Sequence, residues 1–175
     1  MAIDKSLVPM RVVFAPLSPE AKLPQRATAD SAGYDLTACL LSGSVRVALG
    51  GTEEMRAVTT DAGRGSVTLE PGERALIPLG FKARIPQGYH GEVRPRSGAA
   101  FRKGIEIPNS PGTIDSDYNG EWMVPVKNGD SKPITIEHGE RIAQVVFVKH
   151  VDVEFEHGEV GRTSDRDGGF GSTGK

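Results

Sequence analysis

Apolar residues along this chain recur mostly at every second position, in short runs cut by glycine or proline. The clearest run is Ala75, Ile77, Leu79, Phe81, Ala83 and Ile85, all apolar at a strict period of two. That period lines up one face of a strand. Pro78, inside the run, implies a bulge or an edge position, because proline cannot donate to a ladder. Val67 and Leu69 lead into it through Glu70-Pro71-Gly72-Glu73, a turn with proline and glycine in favoured places. Further strands are expected over 8–17, over 31–38 through Tyr34 and Leu36, over 89–94, over 105–108 and around Ile134 and Ile136. Ile142 to Val148 is apolar at nearly every position except Gln144, as in a strand buried on both faces. Val151, Val153 and Phe155 alternate with acids, as in a half-exposed strand.

Residues 43–66 are less regular. Ser44 to Leu49 suits a strand and Gly50-Gly51 breaks it; Thr52 to Ala62 is polar and reads as a loop or a brief helix, so the whole reads as a surface insertion. No window of a dozen residues sustains helical periodicity. A helical turn fits only Pro95 to Gly104, where Ser97 is placed to cap it. Eight or more short strands at close spacing point to an all-β, single-domain, jelly-roll-like barrel over residues 1–157. A polar, glycine-rich arm follows over 158–175.

Composition agrees with many turns. The 22 glycines and 12 prolines make up about 19% of the 175 residues, against roughly 12% in average usage, and they are spread along the chain. A net charge of −2 supplies no global basic field, so nucleic acid is not an expected partner. No run approaches the roughly 18 apolar residues of a membrane span, and the residues before Pro19 lack the apolar core of a leader peptide. Cys39 is the single cysteine, which excludes an internal disulfide and fits a reducing compartment. A soluble, cytoplasmic protein is the expectation.

Candidate chemistry gathers on four stretches. Gly112-Thr113-Ile114-Asp115-Ser116-Asp117-Tyr118-Asn119-Gly120-Glu121-Trp122 reads as the tip of a β-hairpin, with Trp122, Val124 and Val126 on the returning strand. Its two aspartates suit a general base or metal ligands, and equally suit turn capping. Arg96-Ser97-Gly98 offers a cation, a hydroxyl and backbone amides to a phosphate, or is an ordinary capped turn. Asp35, between Tyr34 and Leu36, points away from its apolar neighbours if 31–38 is a strand. Arg166 with Gly168-Gly169-Phe170-Gly171-Ser172-Thr173 could wrap phosphates; its aromatic residue makes sense if the arm closes on a flat ligand. His90, His138, His150 and His157 have no metal-ligand spacing, and no zinc site is written here.

With a fifth motif, Gly139-Glu140-Arg141-Ile142-Ala143-Gln144, these stretches in chain order make the chain resemble the trimeric deoxyuridine triphosphate nucleotidohydrolases (dUTPases). The five are Ala32-Gly33-Tyr34-Asp35-Leu36; Pro95-Arg96-Ser97-Gly98; Gly112-Thr113-Ile114-Asp115-Ser116-Asp117-Tyr118; Gly139-Glu140-Arg141-Ile142-Ala143-Gln144; and Arg166 with Gly168-Gly169-Phe170-Gly171-Ser172-Thr173-Gly174. The resemblance implies hydrolysis of dUTP to dUMP and pyrophosphate, which keeps uracil out of DNA and supplies dUMP for dTMP synthesis. It implies Asp115 as the base for the attacking water, and Mg2+ mainly on the triphosphate, with Asp35 reaching the metal only through water. Arg96, Ser97, Gly98 and Gln144 would hold the phosphates. Met123 backbone and Asn109 would read uracil, Tyr118 would pack under the deoxyribose, and Gly112, Thr113 and Ile114 would wall the pocket. Arg166, Phe170, Gly171, Ser172 and Thr173 would close over the nucleotide on a neighbouring subunit, so that a homotrimer shares its sites.

One departure stands out: the family's last motif usually reads Arg-Gly-x-Gly-Gly-Phe, whereas here Arg166-Asp167-Gly168-Gly169-Phe170 is one residue shorter. A dCTP deaminase or its bifunctional relative shares the fold, but the glycine-rich arm argues against it. A non-catalytic, nucleotide-sensing member of the fold is the other alternative, against which Asp115, Ser97 and the arm argue.

Overall fold

The computed structural model describes residues 10–162. Fourteen strands and one short helix follow in chain order. The first eight strands are β1 (Val13–Pro16), β2 (Tyr34–Thr37), β3 (Ser44–Leu49), β4 (Thr52–Ala57), β5 (Thr59–Asp61), β6 (Arg64–Leu69), β7 (Arg74–Pro78) and β8 (Phe81–Arg84). After β9 (Tyr89–Pro95) comes α1 (Ser97–Lys103); then β10 (Ile105–Glu106), β11 (Gly112–Ile114), β12 (Met123–Asn128), β13 (Ile134–Glu137) and β14 (Arg141–Lys149). The strands form sheets of five (β10-β12-β7-β3-β4), four (β11-β9-β14-β2), three (β13-β6-β5) and two (β1-β8). The result is the all-β, jelly-roll-like single domain that the alternation implies.

The inner sheet faces meet in one core. Leu36, Leu69, Ile77, Val124, Val126, Ile136, Ile142 and Val145 are buried. Fully burying one such side chain is worth roughly 1.5–3 kcal/mol, so the alternating residues set which face of each strand turns inward. Trp122 packs its ring 5.3 Å from Phe81, which lies 4.9 Å from Phe14.

Several elements differ from the sequence reading. The run from Ala75 to Ile85 is two strands in two sheets, not one bulged strand, because Gly80 adopts φ +73 and turns a corner. Alternation survives the corner since both halves face the same core. A Cβ on Gly80 would come within 2.5 Å of the Cys39 sulfur. Cys39 is buried and its N–H donates to Pro78 O at 2.8 Å.

Thr52 to Ala62 is neither loop nor helix. It forms β4 and β5, and Val58 between them donates its N–H to Gly43 O at 2.9 Å. Both strands are sheet edges, so only one side needs a partner strand, and their polar residues face solvent. Arg56 of β4 ties the excursion down: its guanidinium donates to both oxygens of the buried Glu73 carboxylate (2.7 Å from Nη2 to Oε1) and to Thr68 O at 3.0 Å. This bonding to Arg56 holds the Glu73 pKa below its ordinary value.

Only the first half of β14 is deeply buried; Val146, Phe147 and Val148 are half-buried. Residues 151–162 form no strand, and Val151, Val153 and Phe155 are exposed. Their alternation pairs with no strand among the described residues. Ser97 is the first helical residue rather than the cap; Arg96 holds the cap position in an extended conformation, without a side-chain hydrogen bond that caps the helix.

Candidate functional site

The hairpin expected over 112–122 is not formed. β11 pairs with β9 and β12 with β7, so residues 115–122 cross from the four-stranded sheet to the five-stranded one. Trp122 explains the crossing. Its N–H donates to Phe81 O at 2.9 Å and its carbonyl accepts from Leu79 N–H at 3.0 Å, so the segment is stitched to the corner rather than back on β11. Asp115 and Asp117 therefore sit in a crossing loop, both exposed, and not on one strand face.

Sequence-distant motifs meet on the outer face of the four-stranded sheet. Leu36 turns inward and is fully buried, so the neighbouring Asp35 turns outward. Asp35 stands opposite Gln144 in the β2–β14 register, and Gln144 stands opposite Arg94 in the β14–β9 register. Just beyond β9, Arg96 donates from Nε to Asp35 Oδ1 at 2.7 Å and from Nη2 to Oδ2 at 3.3 Å. Arg141 adds a third bond, Nη1 to Oδ2 at 3.0 Å, and its carbonyl accepts from Arg96 Nη1 at 3.3 Å. Asp35 is thus clamped between two guanidiniums, with only 15% of its side chain exposed. Gln144 donates from Nε2 to Pro95 O at 2.9 Å. A hollow of about 190 Å³ opens beside this cluster, lined by Arg96, Gly98, Ala99, Arg102, Lys103, Glu140 and Arg141. Arg141 was not among the expected site residues; its position next to the Gly139-Glu140 turn, at the start of an apolar strand, is the signal that marks it.

The second group lies around the crossing loop. Asn109 sits over Gly112, where an added Cβ would meet its amide nitrogen at 2.8 Å. The Ser110–Pro111 peptide bond between them is cis. Tyr118 closes a turn by donating its N–H to Asp115 O at 3.2 Å, and its hydroxyl donates to Glu121 O at 2.9 Å. Glu121 in turn accepts from Gly80 N–H at 3.0 Å, so the corner, the loop and the tyrosine form one connected frame. Met123 opens β12 and is partly exposed, Thr113 is exposed and Ile114 half-buried.

The two groups do not meet within one chain. Asp115 follows β11 at one edge of the four-stranded sheet and Asp35 lies in β2 at the other. Three strand spacings separate those edges, about 14 Å. Arg166, Phe170, Gly171, Ser172 and Thr173 lie outside the described residues. Among the described residues, no cluster of three or more His, Cys, Asp or Glu could hold a metal ion, and no helix is long and apolar enough to cross a membrane.

Fold and site together define a jelly-roll-like β protein with a sheet-face cluster of two arginines on one carboxylate and a separate loop-borne carboxylate. Residues 63–174 match the dUTPase family model. Deoxyuridine 5'-triphosphate nucleotidohydrolases from two strains of Leptospira interrogans are 41% identical over 167 residues, covering 94% of this chain and 99% of theirs. Among solved structures, a G164S mutant of the Staphylococcus bacteriophage 80alpha dUTPase with dUpNHpp superposes with a TM-score of 0.73 at 26% identity, over 94% of this chain and 98% of that one. The Streptococcus mutans dUTPase gives 0.63 at 27% identity, over 81% and 98%. The chain belongs to the dUTPase family.

Proposed function

We propose that this chain hydrolyses dUTP to dUMP and pyrophosphate. The observation that carries the reading is the convergence of Asp35, Arg96 and Gln144, residues far apart in sequence, on one outer sheet face in a member of this family. Arg96, Ser97, Gly98 and Gln144 supply cation, hydroxyl and amide donors to the phosphate oxygens, where donors stabilise charge developing on the transferred group. Asp115 takes a proton from a water whose oxygen attacks the α-phosphorus; the bond to the bridging oxygen breaks and pyrophosphate leaves. Its exposed loop position leaves it accessible to that water.

The base is read by the Met123 backbone and the Asn109 amide, and a donor–acceptor pair that fits uracil leaves polar groups unpaired against cytosine. Tyr118, fixed by its bond to Glu121 O, packs under the deoxyribose and leaves no room for a 2′-hydroxyl. Gly112, Thr113 and Ile114 wall the pocket. Arg166, Phe170, Gly171, Ser172 and Thr173 form the closing arm over 158–175.

A Mg2+ ion fits this donor set. The cluster offers one carboxylate, Asp35, already clamped by two arginines, which suits an ion that keeps its waters and rides mainly on the triphosphate. When bound, the ion would neutralise phosphate charge, and Asp35 would be the residue to help hold it, through water. The family resemblance suggests a homotrimer with shared sites, and the fold is compatible with it: Asp115 follows β11 at one edge of the four-stranded sheet and Asp35 lies in β2 at the other, so a neighbour's loop would complete each site. Such a protein works in the cytoplasm, on a small-molecule substrate.

The test is incubation with dUTP or dCTP and magnesium, with the products resolved. dUMP plus pyrophosphate from dUTP supports the reading. Ammonia from dCTP would point to a deaminase, and no turnover to a nucleotide-sensing member. Removal of 163–175 should abolish most turnover and leave the barrel folded; normal activity would remove the closing arm.

A further inference from the structure

Gly33 precedes β2 by one residue, and it is not among the glycines at positive φ. Its backbone would therefore accept an L side chain, so conformation does not require glycine there. Space does. A Cβ at this position would meet Gln144 Oε1 at 2.0 Å and Cδ at 2.9 Å, while Gln144 Cβ would be at an ordinary 3.4 Å. The obstruction is the amide end of one side chain, with no backbone atom among the nearest contacts.

That amide has a second anchor. Its Nε2 donates to Pro95 O at 2.9 Å, next to Arg96. An amide nitrogen carries two hydrogens, so one is fixed on Pro95 and the other remains to donate elsewhere. The Oε1 side of the group packs over Gly33. With both sides held, the amide plane has one setting, at the edge of the Asp35–Arg96–Arg141 cluster.

We propose that Gly33 is a positioning residue for the reaction: the missing side chain leaves the slot that holds the Gln144 amide on Pro95, with its second N–H aimed at a phosphate oxygen. This deepens the functional reading above and rests on it, since it takes Gln144 as a phosphate donor. Any side chain at 33 pushes the amide off Pro95. A flexible glutamine end relieves the clash without moving a strand, so the fold persists while the donor is misplaced.

The experiment is a cycle of wild type, Gly33→Ala, Gln144→Ala and the double variant. Turnover of dUTP with magnesium and the thermal midpoint are measured for each, with the side-chain amide signals of Gln144 followed by NMR. Gly33→Ala is expected to stay folded and to lose turnover by about the same factor as Gln144→Ala, on the order of a hundredfold for one lost donor. The double variant should match Gln144→Ala within about twofold, because there is no longer an amide to displace. Losses that multiply, a Gly33→Ala enzyme as active as wild type, or a Gln144→Ala enzyme as active as wild type each overturn the proposal. Should Gly33→Ala alone fail to fold, recovery of folded protein in the double variant supports the slot, and an unfolded double variant overturns it. A wild type without dUTP turnover sinks the functional reading instead; the NMR signals then decide the slot by themselves, displaced in Gly33→Ala if it exists and unmoved if it does not.

Discussion

The two halves of the site are built in opposite ways. The arginine–carboxylate cluster sits on a sheet face, where register sets each neighbour: Asp35 opposite Gln144, Gln144 opposite Arg94, and Arg96 just past the strand end. Its carboxylate is largely buried and triply bonded before any ligand arrives. The other half rides on a crossing loop, with Asp115, Asp117 and Tyr118 exposed and few bonds beyond a turn and the Tyr118 hydroxyl. Groups that only bind charge gain from being fixed early, because ordering them costs nothing at binding. The proposed base, which would have to meet a water and a reacting phosphorus, needs access, and a loop between rigid sheets supplies it.

The largest effect should come from the loop. Asp115→Asn is expected to lower kcat by about 10²–10⁴, the range for a lost general base, while a non-hydrolysable dUTP analogue still binds. Unchanged kcat would remove Asp115 as the base and with it the contrast between the halves. Tyr118→Ala should relax sugar selectivity: kcat/KM for UTP relative to dUTP should rise by on the order of tenfold to a hundredfold. An unaltered ratio would take the tyrosine out of sugar recognition.

The sheet half should answer differently. Asp35→Asn leaves Arg96 and Arg141 without their shared anion, and about a tenfold fall in kcat/KM is expected, the equivalent of one charge-assisted hydrogen bond of roughly 1.4 kcal/mol. The loss should fall mainly on KM. An effect confined to kcat would mean that the cluster takes part in the chemical step and is no mere cradle.

The smallest effect serves as a control from outside both halves. Arg56 and Glu73 repeat the carboxylate-in-a-clamp construction with no site beside them. Arg56→Met should leave dUTP turnover unchanged and cost about 1.5–3 kcal/mol of stability at neutral pH. The sign with pH follows from Glu73. Its folded pKa is depressed by Arg56, so the stabilisation is present above the ordinary glutamate pKa and is lost as pH falls through the folded value. Urea midpoints at pH 7 and pH 3 should therefore differ less in Arg56→Met than in wild type. An equal pH dependence in the two proteins would deny Glu73 its share.

How legible this was in the sequence depended on which residues faced the core. Alternation identified the inward residues of β6, β7, β12 and β13, because burial enforces a period of two. It could not locate the corner at Gly80, since both halves of the 75–85 run face the same core and the pattern continues across the bend. For the same reason the 112–122 segment looked like a hairpin: Trp122, Val124 and Val126 are truly on one buried face, but their partners are on β7. β4 and β5 were hidden because edge strands exposed to solvent carry no apolar alternation to read. The proposed site residues came from ordered motifs; of these, Asp35, Arg96 and Gln144 do converge on one sheet face. What spacing alone could not convey was that Asp35 would be held by a second arginine, Arg141, or that a sheet's width would keep Asp115 from it.

The packed corner at Gly80 also gives the molecule an internal clock. The only cysteine in the chain sits behind that glycine, and burial pushes its thiol pKa up. A neutral, shielded thiol resists alkylation, since the thiolate is the reactive form. Each alkylation at Cys39 therefore records one opening of the seam between two sheets, and a time course in iodoacetamide read by mass spectrometry measures how often that seam parts, with no engineered cysteine needed.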